Sequence, residues 1–181
     1  NGVKPEHIAL ILDGNRRWAV DRSLNPWMGH HYGARKTEEL LKWCLRLGVT
    51  SVTLYAFSME NFNRSRKEVE ELMTIFEEKM RAILRNDEIY KHRVKVKVIG
   101  RLNLLPVNLR DLICEVEKAT ADYDQHFLNV ALAYGGRAEI VDATKEIARN
   151  VKEGRITPED IDEDLFEQFL YTSHMSKQDP D

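Results

Sequence analysis

His7-Ile8-Ala9-Leu10-Ile11-Leu12-Asp13-Gly14-Asn15 passes from an unbroken apolar run to a polar turn within a few residues. A run so short and so evenly apolar reads as a buried strand, and Asp-Gly-Asn as the turn that ends it. The same pattern returns along the chain. Val49 to Phe57, rich in β-branched and aromatic residues, predicts a second strand that stops at Ser58-Met59-Glu60-Asn61-Phe62-Asn63-Arg64. Val94, Val96 and Val98 alternate with Lys95 and Lys97, so a third strand has one wet face or lies at a sheet edge, and it stops at Gly100-Arg101. Phe127 to Ala133 predicts a fourth, stopping at Tyr134-Gly135-Gly136-Arg137.

Helical spacing fills the intervals. After an irregular stretch containing Pro26 and Gly29, Leu40, Leu41, Cys44, Leu45 and Leu47 mark a helix over Ala34 to Leu47, closed by Gly48. Ser65 with Glu68 has the form of a capping box before a long helix carrying Val69, Leu72, Met73, Phe76, Met80, Ile83 and Leu84 on one face. Pro106 suits another helix start, Ile140 to Val151 repeats the spacing until Gly154, and Thr157-Pro158-Glu159-Asp160 opens a last short helical region. Alternation of strand and helix through residues 1–181 predicts one α/β domain with a mainly parallel sheet flanked by helices on both faces.

Ligands of such sheets bind beyond the carboxyl ends of the strands. Asp13, Asn15, Arg16 and Arg17 follow the first strand; Ser58, Asn61 and Arg64 the second; Arg101 the third; Arg137 the fourth. Arginines offer paired donors to phosphate oxygens, and a lone carboxylate offers the hard oxygen that Mg²⁺ prefers, so the rim suits a phosphorylated ligand held through Mg²⁺. Arg101 reads better as solvated surface, Arg137 lies evenly between the two readings, and Asp13-Gly14-Asn15 alone reads as an ordinary turn. The net charge of -3 gives no field for gathering nucleic acid. No apolar run is long enough to span a bilayer, and the amino terminus resembles neither a signal nor a transit peptide, so the chain reads as soluble or peripheral. Cys44 and Cys114 read as reduced core thiols of a cytoplasmic protein. Phosphate-loop, dinucleotide and serine-hydrolase motifs are absent, and the adjacent pair His30-His31 lacks a third ligand for zinc.

The motifs carry the reading further. Leu12-Asp13-Gly14-Asn15-Arg16-Arg17-Trp18-Ala19, Gly29-His30-x-x-Gly33, Leu54-Tyr55-Ala56-Phe57-Ser58-x-Glu60-Asn61-Phe62-Asn63-Arg64 and Tyr134-Gly135-Gly136-Arg137 occur in the order of the cis-prenyltransferase family, which includes undecaprenyl diphosphate synthases, and the resemblance covers essentially the whole chain. It implies an elongated hydrophobic tunnel, a homodimer, and Mg²⁺-dependent condensation of isopentenyl diphosphate with an allylic diphosphate, farnesyl or geranylgeranyl, to give a long polyprenyl diphosphate used as a lipid-carrier precursor. Release of such a product implies peripheral membrane contact.

By the same resemblance, Asp13 is the catalytic, Mg²⁺-organising aspartate, Gly14, Asn15, Arg16 and Arg17 form the loop around the allylic diphosphate, and Trp18 is either a substrate-contacting residue of that loop or its anchor. His30, Ser58, Met59, Glu60, Phe62 and Arg64 contact substrate, and Asn61 occupies the position assigned to proton removal. A neutral amide is a poor base, so Asn61 is read as positioning substrate. Glu68 matches a family glutamate but equally completes a capping box. Ala56, Leu72, Met73, Ile75 and Phe76 fall where the family lines its tunnel. Phe62 stands where the family has Trp, and Pro26 where it has Arg, whose contact falls to Arg22 or is lost. Gln178-Asp179-Pro180-Asp181 lies where the family enters a last strand and a basic Arg-x-x-Gly segment, so residues 1–181 are expected to hold the allylic site without much of the isopentenyl diphosphate site. Two other classes compete: a noncatalytic subunit of a heteromeric prenyltransferase, against which the retained Asp13, Asn15, Arg17, Asn61 and Arg64 argue, and an unrelated phosphate-binding α/β enzyme.

Overall fold

The computed structural model describes residues 5–175 and 180–181; the expectations for Asn1 to Lys4 and for Gln178-Asp179 lie outside the described residues. Four strands, β1 (His7–Ile11), β2 (Ser51–Ser58), β3 (Val94–Ile99) and β4 (His126–Tyr134), form one wholly parallel sheet in the order β1-β2-β4-β3. The helices between and after them are α1 (Asn15–Val20), α2 (Met28–Leu47), α3 (Arg66–Ile83), α4 (Asp87–Lys91), α5 (Val107–Ala119), α6 (Gly136–Lys152) and α7 (Glu163–Glu167). All four expected strands and the expected α/β class are present.

One face of the sheet carries the core. Val52 and Leu54 of β2, Val94, Val96 and Val98 of β3, and Leu128, Val130 and Leu132 of β4 pack with Cys44 of α2, Leu72, Met73, Phe76 and Met80 of α3, and Leu109, Leu112, Ile113 and Val116 of α5. Phe57 is fully buried and meets Phe62 and Phe76 edge to face at 4.8 and 6.0 Å; burying a side chain of that size stabilises by about 2–3 kcal/mol. The other face is more polar. Asn129 of β4 is buried there, giving its amide to Thr53 at 3.3 Å and accepting from His174 at 2.8 Å. Its β1 end is bare, with Ile11 78% exposed, so among the described residues the second face is covered only in part rather than fully.

β3 is the outer strand, as its lysine alternation suggests, and α5 protects its edge. The Thr120 hydroxyl accepts Val96 N–H at 3.1 Å and the Glu117 carboxylate accepts Val98 N–H at 2.9 Å, which occupies donors that an open edge would leave free. Cys114 departs from expectation. It lies on the exposed side of α5, while Cys44 is buried as expected.

Helix α1 and the start of α2 also depart from the sequence reading, which left this stretch irregular. Gly14 takes φ 84° and turns the chain directly from β1 into α1. Gly29 and Gly33 look like helix breakers but lie one turn apart inside α2, where α1 rests on them.

At the carboxyl end of the sheet the ladder slips twice. Tyr55 pairs with Ala131 and Phe57 with Leu132, leaving Ala56 as an extra residue; Ser58 then pairs with Tyr134, leaving Ala133 as another, at φ 49°. Such bulges re-aim side chains at a strand end.

Candidate active site

A cavity of about 610 Å³ opens beyond the ends of β1 and β2, within the usual size range of small-ligand sites. Leu12, Asp13, Gly14, Asn15, Arg16 and Arg17 supply one wall from the β1 turn and α1, and His30, Gly33 and Ala34 another from α2. Asn61 and Arg64 come from the 3-10 turn Met59–Asn63 and its cap, and Leu72, Ile75 and Phe76 from α3. Ala56, the bulged residue of β2, also lines it. The lining is thus charged at Arg64, before α3 begins, and apolar where α3 contributes Leu72, Ile75 and Phe76.

Asp13 sits at the exposed rim. Its carboxylate accepts Gly14 N–H at 2.5 Å and Arg17 at 3.1 Å, and both partners of that ion pair are more than three-quarters exposed. Gly14, left-handed, caps α1 without a side-chain hydrogen bond, and Trp18 N–H closes the first turn on Gly14 O at 2.9 Å.

Glu68 stands behind the wall and joins three of its residues. Ser65 does cap α3, its hydroxyl accepting Glu68 N–H at 3.3 Å, but the Glu68 carboxylate serves the cavity as well. It accepts from His30 Nε2 at 3.1 Å and from Arg64 at 3.0 Å, and it lies 3.7 Å from Arg16. Burial pushes the Glu68 carboxyl up, yet the His30 hydrogen bond and the charges of Arg16 and Arg64 outweigh it and hold it below the usual range. Burial also dominates at His30 and leaves its pKa lowered, so the imidazole is neutral near pH 7 and gives its Nε2 proton to Glu68.

Asn61 commits its carboxamide oxygen to Ser58 N–H at 3.1 Å. What remains free to face the cavity is the amide NH₂, a donor, which suits holding an anion and not removing a proton.

Six residues of the expected set lie outside the lining. Trp18 is stacked between Arg22, 4.4 Å away, and Tyr32, at 4.8 Å, and so anchors α1 to α2. Arg22 also gives a hydrogen bond to Trp18 O at 3.3 Å and lies outside the cavity lining, so of the two outcomes expected for the contact of an arginine at Pro26, transfer to Arg22 or loss, the geometry favours loss. Phe62 packs on Phe57, Met59 on the core and Met73 within it, Ser58 is buried at the strand end, and Glu60 is exposed. Conversely Val20, Asp21 and Ala34 line the cavity without having been singled out. Only the helical placement of the irregular stretch could have revealed them.

The far rim differs from the sequence reading. Arg101 is not solvated surface: its guanidinium grips both Asp142 oxygens at 2.8 Å, and Tyr171 OH bonds the same carboxylate. Arg137 is exposed and outside the cavity.

Among the described residues no group of three or more His, Cys, Asp or Glu gathers as a metal cage. The donor set fits Mg²⁺ in its other habit, in which one or two carboxylates share the ion with water and substrate phosphate: Asp13 offers an exposed carboxylate and Asp21 lines the same cavity.

Residues 11–181 match the undecaprenyl diphosphate synthase family of prenyltransferases. The tritrans,polycis-undecaprenyl-diphosphate synthase (geranylgeranyl-diphosphate specific) of Pyrococcus abyssi is 52% identical over 99% of this chain and 67% of its own length. The enzyme of the same name from Archaeoglobus fulgidus is 49% identical over 94% of this chain and 68% of its own. Among solved structures, lavandulyl diphosphate synthase from Lavandula x intermedia, in complex with dimethylallyl diphosphate, superposes with a TM-score of 0.90 at 35% identity, over 96% of this chain and 73% of that one. The chain thus spans about two thirds of the length of these curated relatives.

Proposed function

Because the chain belongs to the undecaprenyl diphosphate synthase family of prenyltransferases, we propose that it extends an allylic diphosphate, geranylgeranyl diphosphate first among candidates, by repeated cis addition of isopentenyl diphosphate. The observation that carries this reading is the two-part lining of one cavity, arginines and amides at the strand ends and, deeper, Ala56 of β2 with Leu72, Ile75 and Phe76 of α3. An anionic head with a hydrocarbon tail matches both parts at once. The choice of geranylgeranyl over farnesyl primer is supported by the names of the archaeal relatives.

In this mechanism the diphosphate lies against Asn15, Arg16, Arg17 and Arg64, whose donors stabilise the negative charge that builds as the allylic C–O bond breaks. Mg²⁺, when held by Asp13, neutralises part of that same charge. The isopentenyl double bond attacks the allylic carbon, and the proton it then loses goes to the released pyrophosphate. Asn61, as an NH₂ donor, orients the incoming diphosphate. Neutral His30 and ionised Glu68 keep Arg64 and Arg16 aimed inward. The growing chain extends along the apolar residues of α3 as a tunnel.

Release of a polyprenyl product to a bilayer supports peripheral membrane contact from the cytoplasmic side; no helix among the described residues is long and apolar enough to cross a membrane. A homodimer is part of the same proposal, by family resemblance. The test is to incubate the full-length protein with Mg²⁺, labelled isopentenyl diphosphate and either geranylgeranyl or farnesyl diphosphate. Label in an elongated lipid, faster with the geranylgeranyl primer, is expected. Release of inorganic phosphate with no chain growth would instead make the protein a phosphatase.

A further inference from the structure

The contact between α1 and α2 assigns different tasks to two glycines one turn apart. Asn15 begins α1, lines the cavity and lies against α2. A Cβ built on Gly29 would overlap the Asn15 carbonyl oxygen, stand 2.7 Å from its carbon and crowd Ala19 Cβ at 3.2 Å. A Cβ built on Gly33 would overlap Asn15 Oδ1 and stand 2.7 Å from Cγ and 2.8 Å from Nδ2. The distances to Asn15 are shorter than real Cβ atoms show, and the one to Ala19 is merely tight. The difference lies in what must move: backbone at Gly29, but only the end of a side chain at Gly33.

We propose that Gly33 is a positioning residue for the prenyl transfer, its bare Cα forming the seat that fixes the direction of the Asn15 carboxamide. This rests on the proposed reading that Asn15 contacts the allylic diphosphate. The carboxamide lies between α2 and the cavity, so a methyl group at position 33 drives it toward the ligand's space and turns its NH₂ donors away from their set direction. A displacement of about 1 Å in a group that orients substrate lowers the rate by on the order of tenfold to a hundredfold. Gly29 is different, because filling it separates α1 from α2 and its effect falls on stability.

A double-mutant cycle tests the assignment in the full-length protein. G33A is expected to lower kcat/KM for the allylic diphosphate by on the order of thirtyfold while moving Tm by less than about 2 °C. N15A should produce a comparable loss, and G33A added to N15A no further loss, because the group it displaces is gone. G29A should lower Tm in both backgrounds. Equal proportional losses from G33A with and without the Asn15 side chain would overturn the proposal. The side-chain amide signals of Asn15 in a nitrogen-labelled sample give a readout independent of turnover, and they should shift in G33A while the α1 backbone signals stay. If the wild-type protein does not elongate prenyl chains, the functional reading fails separately, and unmoved Asn15 side-chain signals would still refute the role of Gly33.

Discussion

The carboxyl rim of the sheet has two ends built from the same residue types. At the β1-β2 end, Arg16, Arg17 and Arg64 meet Asp13 and Glu68, and Asp21 lies on the same wall. At the β4-β3 end, Arg101 meets Asp142, with Glu139 nearby. What differs is the geometry. Arg101 has a paired contact with Asp142, whose carboxyl is brought down to about 2, first by the Arg101 hydrogen bond and then by that from Tyr171. Burial and the Asp142 contact push the Tyr171 hydroxyl up to about 12. Glu139 is buried, accepting from Tyr134 OH at 2.5 Å and from Tyr171 N–H at 2.7 Å. One end is a brace with its donors filled, and the other keeps donors for a ligand. An arginine at a strand end says little about binding until the whereabouts of its carboxylate are known.

The largest effect that would break this contrast lies at Asp13. Asp13→Ala should lower kcat by roughly a thousandfold with Tm unchanged, since an exposed ion pair adds little stability. A fall in Tm matching the loss of activity would make Asp13 a brace like Asp142.

Glu68 sharpens the comparison because it has something of both ends. Glu68→Gln should lower kcat/KM by on the order of tenfold and stability by about 2 kcal/mol, seen in urea unfolding. His30 adds a pH signature. Its pKa is lowered in the fold, so the unfolded chain binds its proton first as pH falls below about 6.5. Stability contributed by neutral His30 is full above that pH and is lost as pH falls toward the lowered folded value. Unfolding at pH 7.5 and 5.5 should show a smaller acid loss in His30→Gln than in the wild-type protein; an unchanged loss assigns the acid sensitivity elsewhere.

The smallest effect is at the far end. Arg101→Met should cost about 1 kcal/mol of stability and leave kcat/KM within about twofold. A hundredfold loss of activity would join the two ends into one site.

The sequence made the strands plain because apolar runs, turn residues and their alternation are local signals, and Ile8 to Leu12 or Phe127 to Ala133 carry them without reference to the rest of the chain. Helix α3 was equally legible from its stripe and from Ser65. What escaped depends on contacts between distant segments. Gly29 and Gly33 punctuate a helix in one dimension and seat α1 in three. Ala56 reaches the cavity only because the β2-β4 ladder slips, and no residue type announces such a slip. Glu68 has the spacing of a capping box, and only the arrival of His30 from α2 shows where its carboxylate goes. Arg101 finds its partner 41 residues away. The motif around Asp13 located the site, while the division of labour within it came from packing.

The sheet order has a consequence for how the molecule is made. Among the described residues, those lining the cavity all fall between Leu12 and Phe76, so the segment from β1 to α3 supplies them before β3 and β4 have been synthesised. A nascent chain leaving the ribosome thus carries the described lining residues early, with β2 still lacking the neighbour that completes its pairing. Until β4 inserts beside β2, that edge is open to wrong pairing, and the step that secures the chamber is the docking of a strand that contributes no side chain to it.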